Sequence, residues 1–95
     1  MKLAVAIPAY EAAYSVGAVV EGCRVHVPEV LVIDDGSHDG TADAARAAGA
    51  EVRRVEVNRG KGHALRVAFD ELFGRGVDAV ITVDADGQHI PGEIP

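Results

Sequence analysis

Short apolar runs alternate along this chain with segments whose apolar residues recur at helical spacing. Residues 3–7, 30–33 and 79–83 are built almost entirely from Val, Ile, Leu and Ala, with Thr82 the one polar member. Continuous β-branched runs of this length read as strands buried on both faces, the pattern of a parallel sheet. Pro8 ends the first run. Residues 51–57 mix valines with charges, and Val52 and Val55 are out of phase by one, so this segment predicts a more exposed edge strand. Val16, Val19 and Val20 mark a helix over about residues 12–22, with Gly22 as its stop. A second helix is predicted over residues 41–48, with Asp43 in its first turn, alanines at 42, 45 and 48 forming a thin face, and Gly49 just past its end. Leu65, Ala68, Phe69 and Leu72 give the buried stripe of a third helix over residues 63–73, ended by Gly74 and Gly76. The order β-α-β-α-β-α-β leaves room for right-handed crossovers. It predicts an α/β fold with a doubly wound, mostly parallel four-stranded sheet in the order 3-2-1-4 and helices on both faces.

Composition narrows the picture in three ways. The chain has 95 residues, 4% aromatic and without tryptophan, so one domain with an aliphatic core is expected. A formal net charge of −6 argues against nucleic acid as a partner and against binding to anionic membranes by the bulk surface. A single cysteine, Cys23, excludes an internal disulfide and fits a reducing, cytoplasmic setting. The apolar start stops at Pro8, too short for a secretory signal, and no stretch approaches the ~18–20 apolar residues of a membrane span. Attachment at the membrane face through another part of a longer chain stays open. Residues 91–95 read as the start of a further element, with Pro91 suited to a first helical position, so the chain is expected to be a piece of a longer domain.

In such a sheet four loops leave strand C-terminal ends on one rim, where open α/β sheets bind ligands. The fourth carries Asp84-Ala85-Asp86-Gly87-Gln88-His89. In an extended segment residues two apart share a side, so Asp84 and Asp86 can converge. Two carboxylates with the Gln88 amide oxygen suit Mg²⁺ or Mn²⁺ held against a diphosphate; ordinary Asp-Gly turn chemistry is the alternative. Asp35 could accept a hydrogen bond from a base N–H or serve in a turn. Lys61, in the basic glycine-rich loop Asn58-Arg59-Gly60-Lys61-Gly62, could approach phosphates or remain a solvated lysine. Pro8 and Tyr10 could wall a base or ribose, or simply pack at a strand end. A G-x-G-x-x-G fingerprint after the first strand, a phosphate-binding P-loop and a nucleophile elbow are all missing from the sequence. A flavodoxin-like receiver, which also carries acids at strand ends, is disfavoured by the 58–62 loop and the Asp84-Ala85-Asp86 ending.

Four segments in order and spacing carry a family resemblance: Ile7-Pro8-Ala9-Tyr10-Glu11, Val32-Ile33-Asp34-Asp35-Gly36-Ser37-His38-Asp39-Gly40-Thr41, Asn58-Arg59-Gly60-Lys61-Gly62-His63-Ala64 and Val83-Asp84-Ala85-Asp86-Gly87-Gln88-His89. The chain resembles the N-terminal half of a family 2 glycosyltransferase with the Rossmann-like GT-A fold, of the dolichyl- or polyprenyl-phosphate mannose or glucose synthase type. The resemblance implies that residues 1–95 are the donor-binding part of an incomplete domain, with a GDP- or UDP-linked sugar as donor. Pro8, Ala9, Tyr10 and Glu11 would line the nucleoside pocket, Asp35 with Asp34 beside it would read the base, and Lys61 would lie near the ribose or diphosphate. Asp84, Asp86 and Gln88 would hold the Mg²⁺ or Mn²⁺ ion, with the Ala85 backbone near the ribose. Asp84 and Asp86 would thus be the catalytic pair of an inverting transfer to a lipid-phosphate or saccharide acceptor. The chain departs from the family's usual Asn-Glu after the tyrosine, since Glu11-Ala12 follows Tyr10. The acceptor-binding half is absent from these 95 residues, so little or no turnover is expected from them alone. A non-catalytic nucleotide-binding module, or one that forms a homo-oligomer through a bare sheet edge, is the competing expectation.

Overall fold

The computed structural model describes residues 1–86 as strand and helix in strict alternation. The elements are β1 (Leu3–Ala9), α1 (Val16–Arg24), β2 (Val30–Asp35), α2 (Thr41–Ala47), β3 (Glu51–Val55), α3 (Lys61–Gly74) and β4 (Ala79–Thr82). The strands pair in the order β3-β2-β1-β4, and every pairing is parallel. This is the predicted sheet.

Strand alternation divides the interior into two aliphatic layers. Val5 and Ile7 of β1 stand opposite Val30 and Val32 of β2. These four face Val16, Val19, Val20 and Cys23 of α1 and Ala45 of α2. Ala4, Ala6, Leu31 and Ile33 point to the other side and meet Ala64, Ala68 and Leu72 of α3. Small residues on β1 facing small residues on α3 let that helix sit close to the sheet. Each fully buried Val, Ile or Leu contributes on the order of 1.5–3 kcal/mol. Burial also pushes the Cys23 thiol pKa upward, as a buried thiol resists ionisation.

The helix ends follow the glycines. Gly49 and Gly76 have φ of 103° and 86°. After α2, Gly49 N–H donates to Arg46 O and Ala50 N–H to Ala45 O. After α3, Gly76 N–H donates to Phe73 O and Val77 N–H to Leu72 O, the same pair of bonds. Both helices therefore close their last turn through a residue that tolerates the left-handed conformation.

Several boundaries differ from the sequence expectation. β1 runs through Pro8 to Ala9. Val83 N–H donates to Ala6 O, so Ala6 faces β4, and Pro8, two residues on, faces the same way. The β1–β4 ladder ends at the Ala6–Thr82 pair, so the donor that proline lacks is not needed there. β2 extends through Asp34 and Asp35, which are strand residues rather than loop residues. α1 begins at Val16 and passes Gly22 to Arg24. Ala12 to Ser15 form a turn instead, because Ala12 N–H and Ala13 N–H donate to Thr41 Oγ1 and Asp39 Oδ2 across the rim. α3 begins at Lys61, and its buried stripe is Ala64, Ala68 and Leu72. Phe69 and Phe73 instead lie against each other, ring centroids 6.1 Å apart, with Phe73 exposed. β3 is, as expected, a half-exposed edge strand.

Charged residues tie down the end of the sheet opposite the rim. Arg75 bonds Glu51 and Glu71 and lies 3.5 Å from Glu29, while Arg53 bonds Glu71 at 2.8 Å. The hydrogen bond from Arg75 holds the Glu51 carboxyl below its usual range.

α1 and α2 touch at Gly17, where a Cβ would meet Ala44 O at 3.7 Å and Ala48 Cβ at 4.0 Å, ordinary contact distances. Gly17→Ala is therefore expected to fit and to raise stability by about 0.5 kcal/mol through reduced chain entropy. Gly17→Leu should lower stability by about 1–3 kcal/mol by overpacking the same contact. Urea denaturation of the two variants checks both signs.

Candidate functional site

Consecutive carboxylates close β2. Asp34 and Asp35 are only 1% and 3% exposed, so each must find donors. Asp34 Oδ1 accepts from Ser37 N–H at 3.0 Å, and Oδ2 lies 3.6 Å from Arg54 Nε. Arg54 also donates to Ser37 O at 2.8 Å. Asp35 reaches the loop between β3 and α3. Its Oδ1 accepts from Arg59 N–H at 3.0 Å, and its Oδ2 accepts from Gly60 N–H at 2.8 Å and Asn58 Nδ2 at 3.1 Å.

Further bonds join the remaining loops. Glu11 carries φ 50°, and its carboxylate accepts from His38 N–H at 2.6 Å and Asp39 N–H at 3.2 Å. Glu11 N–H donates to Ser37 Oγ at 2.8 Å. Asp39 accepts from the Thr41 hydroxyl and from Thr41 N–H, and the hydroxyl bond is the main cause that holds its carboxyl below the usual carboxylate range. Lys61 Nζ donates to Asp84 Oδ1 at 2.7 Å. Ser15 Oγ donates to Ala85 O at 2.6 Å. The first loop thus holds the second, the second the third, the third the fourth, and the fourth the first.

A cleft of about 420 Å³ opens at the centre of this ring. Pro8, Ala9, Tyr10, Asp35, Lys61, Asp84, Ala85 and Asp86 line it. These eight are the sequence-predicted residues that the structure brings together. Glu11 and Asp34 are not among the lining residues; their carboxylates serve the loops, because both stand beside backbone N–H groups of the 36–40 turn. Ala85 and Asp86 lie in a turn rather than an extended segment. Gln88 lies outside the described residues. The structure adds Ala12, Tyr14, Asn58, Gly60 and Ala64 to the lining. Of these, only Tyr14 and Asn58 carry side-chain chemistry a sequence reading could have flagged. Tyr14 is 82% exposed at the mouth.

The charge in the cleft is arranged in opposition. Asp84 already holds an ammonium against one oxygen, so its position accepts a cation, and Asp86 supplies a second hard oxygen donor nearby in the chain. Among the described residues no group of three or more His, Cys, Asp or Glu gathers as a metal cage. Two protein carboxylates fit an ion of the Mg²⁺ type, which binds through one or two carboxylates and keeps its other positions for phosphate and water. The first turn of α3, at Gly60, Lys61 and Ala64, also lines the cleft and presents the positive end of a 14-residue helix.

Over residues 4–95 the sequence matches the family described as glycosyl transferase family 2. The chain belongs to this family. Among its relatives is an undecaprenyl-phosphate mannosyltransferase of Micrococcus luteus, 37% identical over 102 residues, covering 100% of this chain and 42% of that protein. An undecaprenyl-phosphate 4-deoxy-4-formamido-L-arabinose transferase of Serratia proteamaculans is 38% identical over 106 residues, covering 99% of this chain and 32% of the relative. Among solved structures, glucosyl-3-phosphoglycerate synthase of Mycobacterium tuberculosis, in complex with Mn²⁺, uridine-diphosphate-glucose and phosphoglyceric acid, superposes with a TM-score of 0.73 at 29% identity, covering 88% of this chain and 33% of the other. Mannosyl-3-phosphoglycerate synthase of Rubrobacter xylanophilus gives 0.73 at 28%, covering 90% and 31%. The chain therefore spans about a third to two-fifths of the length of these family members. No helix among the described residues is long and apolar enough to cross a membrane.

Two predictions follow from the ring. At Gly36, φ is 78° and a Cβ would stand 2.6 Å from Asn58 N. Gly36→Ala should lose at least about 1–3 kcal/mol, whereas Gly40→Ala, with φ −84° and open space, should stay within about 0.5 kcal/mol of wild type in the same urea titration. A carboxyl whose folded pKa lies below its unfolded value contributes stability above the unfolded value and loses it as pH falls through the folded one. Asp39→Ala should therefore be less stable than wild type at pH 7, and the gap should narrow below about pH 4, read from urea midpoints at pH 7 and pH 3.

Proposed function

We propose that this chain is the donor-binding part of a metal-dependent glycosyltransferase. The whole enzyme would transfer a hexose from a nucleotide-sugar to an acceptor, with inversion at the anomeric carbon. The observation that carries the reading is the cleft itself, where Asp35, Lys61, Asp84 and Asp86 share a space walled by Pro8, Ala9 and Tyr10. Apolar walls take the base and ribose, and Asp35 accepts from a base N–H. Lys61 and the N-terminal turn of α3 meet the diphosphate, since helix N-termini favour anions. Asp84 and Asp86 hold Mg²⁺ or Mn²⁺, with Gln88 as a further candidate ligand. An ion held there would supply positive charge to balance that of a departing diphosphate. Ser15, by holding Ala85 O, sets the turn that carries the two acids.

The Mycobacterium tuberculosis synthase, solved with Mn²⁺ and uridine-diphosphate-glucose, supports the donor and metal assignment. The Micrococcus luteus and Serratia proteamaculans relatives, named for undecaprenyl phosphate, support a polyprenyl phosphate as acceptor, bound by parts of the protein outside the described residues. A lipid acceptor of that kind would put the whole enzyme at a membrane, and we place it at the cytoplasmic face. Glu11 and Asp34 act here through the loops they hold rather than on the ligand.

Calorimetry with UDP-glucose and GDP-mannose, with and without Mn²⁺, tests the reading. At least one should bind, and more tightly with the metal. Asp86→Ala should remove the metal-dependent increment, and Lys61→Ala should weaken binding about tenfold, the loss of one charge-assisted hydrogen bond. Absence of binding by both sugars at millimolar concentration would sink the proposal. Self-association through β4 is a second reading, favoured by the half-buried Ala79, Val80 and Ile81 on that edge strand. A sedimentation coefficient independent of concentration would remove it.

A further inference from the structure

Asp35 enters the cleft with most of its accepting capacity already used. A carboxylate offers about four acceptor sites, two on each oxygen. Oδ2 accepts from both Gly60 N–H at 2.8 Å and Asn58 Nδ2 at 3.1 Å, so it is full. Oδ1 accepts from Arg59 N–H at 3.0 Å and keeps one site. These donors are not easily withdrawn. Asn58 Nδ2 also donates to Asp35 O at 3.2 Å, which pins the amide from two directions. Gly60 sits at φ 95°, ψ 163°, a region open almost only to glycine, and this conformation aims its N–H at Oδ2. Asp35 itself is 3% exposed, so an alternative rotamer would leave a buried carboxylate without the donors it now has.

Nucleobases differ in what they bring to such a group. Guanine presents two adjacent donors, the ring N1–H and the exocyclic amino N–H, which match a carboxylate through one site on each oxygen. Uracil presents a single imide N–H. We infer that Asp35, as saturated by the 58–60 loop, selects a nucleotide with a pyrimidine imide of the uracil type over one with guanine. The inference rests on the reading of the cleft as a nucleoside diphosphate site and names its base. Asn58 is then a specificity-determining residue that acts through Asp35, by filling the oxygen a second base donor would need. Guanine in the same position leaves one N–H unpaired against Oδ2.

The test uses the whole chain with Mn²⁺ and the probes UDP and GDP, titrated by calorimetry. UDP is expected to bind at least about fivefold tighter, the effect of one unpaired donor at a partly open site. GDP binding as tightly as UDP, or more tightly, overturns the inference while leaving the donor site standing. Binding by neither overturns the donor-site reading itself. Asn58→Ala provides the second arm, with its fold checked by circular dichroism. It frees one site on Oδ2, so the UDP-to-GDP affinity ratio should fall towards one even if both affinities drop. An unchanged ratio in a folded Asn58→Ala variant assigns base choice elsewhere and overturns the role given to Asp35.

Discussion

A carboxylate taken out of water has to be met by donors, and two of them are taken out of water side by side at the end of β2. Neighbours on a strand point to opposite faces. Asp34 and Asp35 therefore cannot share partners, and each recruits a different loop. Asp34 draws in the turn that opens α2 and, through Arg54, the end of β3. Asp35 draws in the approach to α3. The position of Lys61 depends on this second anchor, because Gly60, bonded to Asp35, is the residue before it. The central strand thus places the rim by requiring donors rather than by offering a surface to pack on.

The rest of the ring is built from short polar side chains at loop starts. Glu11, Ser37, Thr41 and Ser15 bond backbone groups on a neighbouring loop, and Asp39 bonds both Ala13 N–H across the rim and Thr41 in its own loop. Such cross-bracing suits a ligand site, since a side chain in one loop is oriented by its neighbour and needs little reorganisation on binding. The Lys61–Asp84 pair is different in kind. Lys61 is largely exposed, and an exposed pair contributes only about 0–1 kcal/mol. This contact between the third and fourth loops is therefore readily exchanged for a stronger cation or a phosphate.

Much of this was legible in the residue pattern. Three aliphatic runs and one mixed run fixed the strands, and glycines at 49 and 76 marked helix ends that the structure closes through them. Asp35, Asp84, Asp86, Lys61, Tyr10 and Ala85 all belong to the rim that the pattern predicts, and they line one cleft. What could not be read was which polar residues serve the loops. Glu11 and Asp35 look alike as acids at strand ends; only the spatial neighbourhood separates a carboxylate bracing a turn from one lining a cavity. The α3 stripe differs from the expected one for a related reason. Leu65 and Phe69 outrank Ala64 in hydropathy, but the facing strand carries Ala4 and Ala6, and close approach there selects small residues. Pro8 looked like a terminator because the halt of the neighbouring ladder at Thr82 is a tertiary fact.

The bond from Ser15 to Ala85 joins residues 70 positions apart. A ribosome delivers the chain from its N-terminus at roughly 5–20 residues per second. The first strand thus emerges seconds before its partner β4 exists, and the cleft cannot be complete until β4 arrives. A ligand stabilises only the state that binds it, so none can help the shorter nascent chain. Until β4 is made, the earlier elements hold together on their aliphatic layers and on the bonds among the first three loops, and the cleft is completed only with β4.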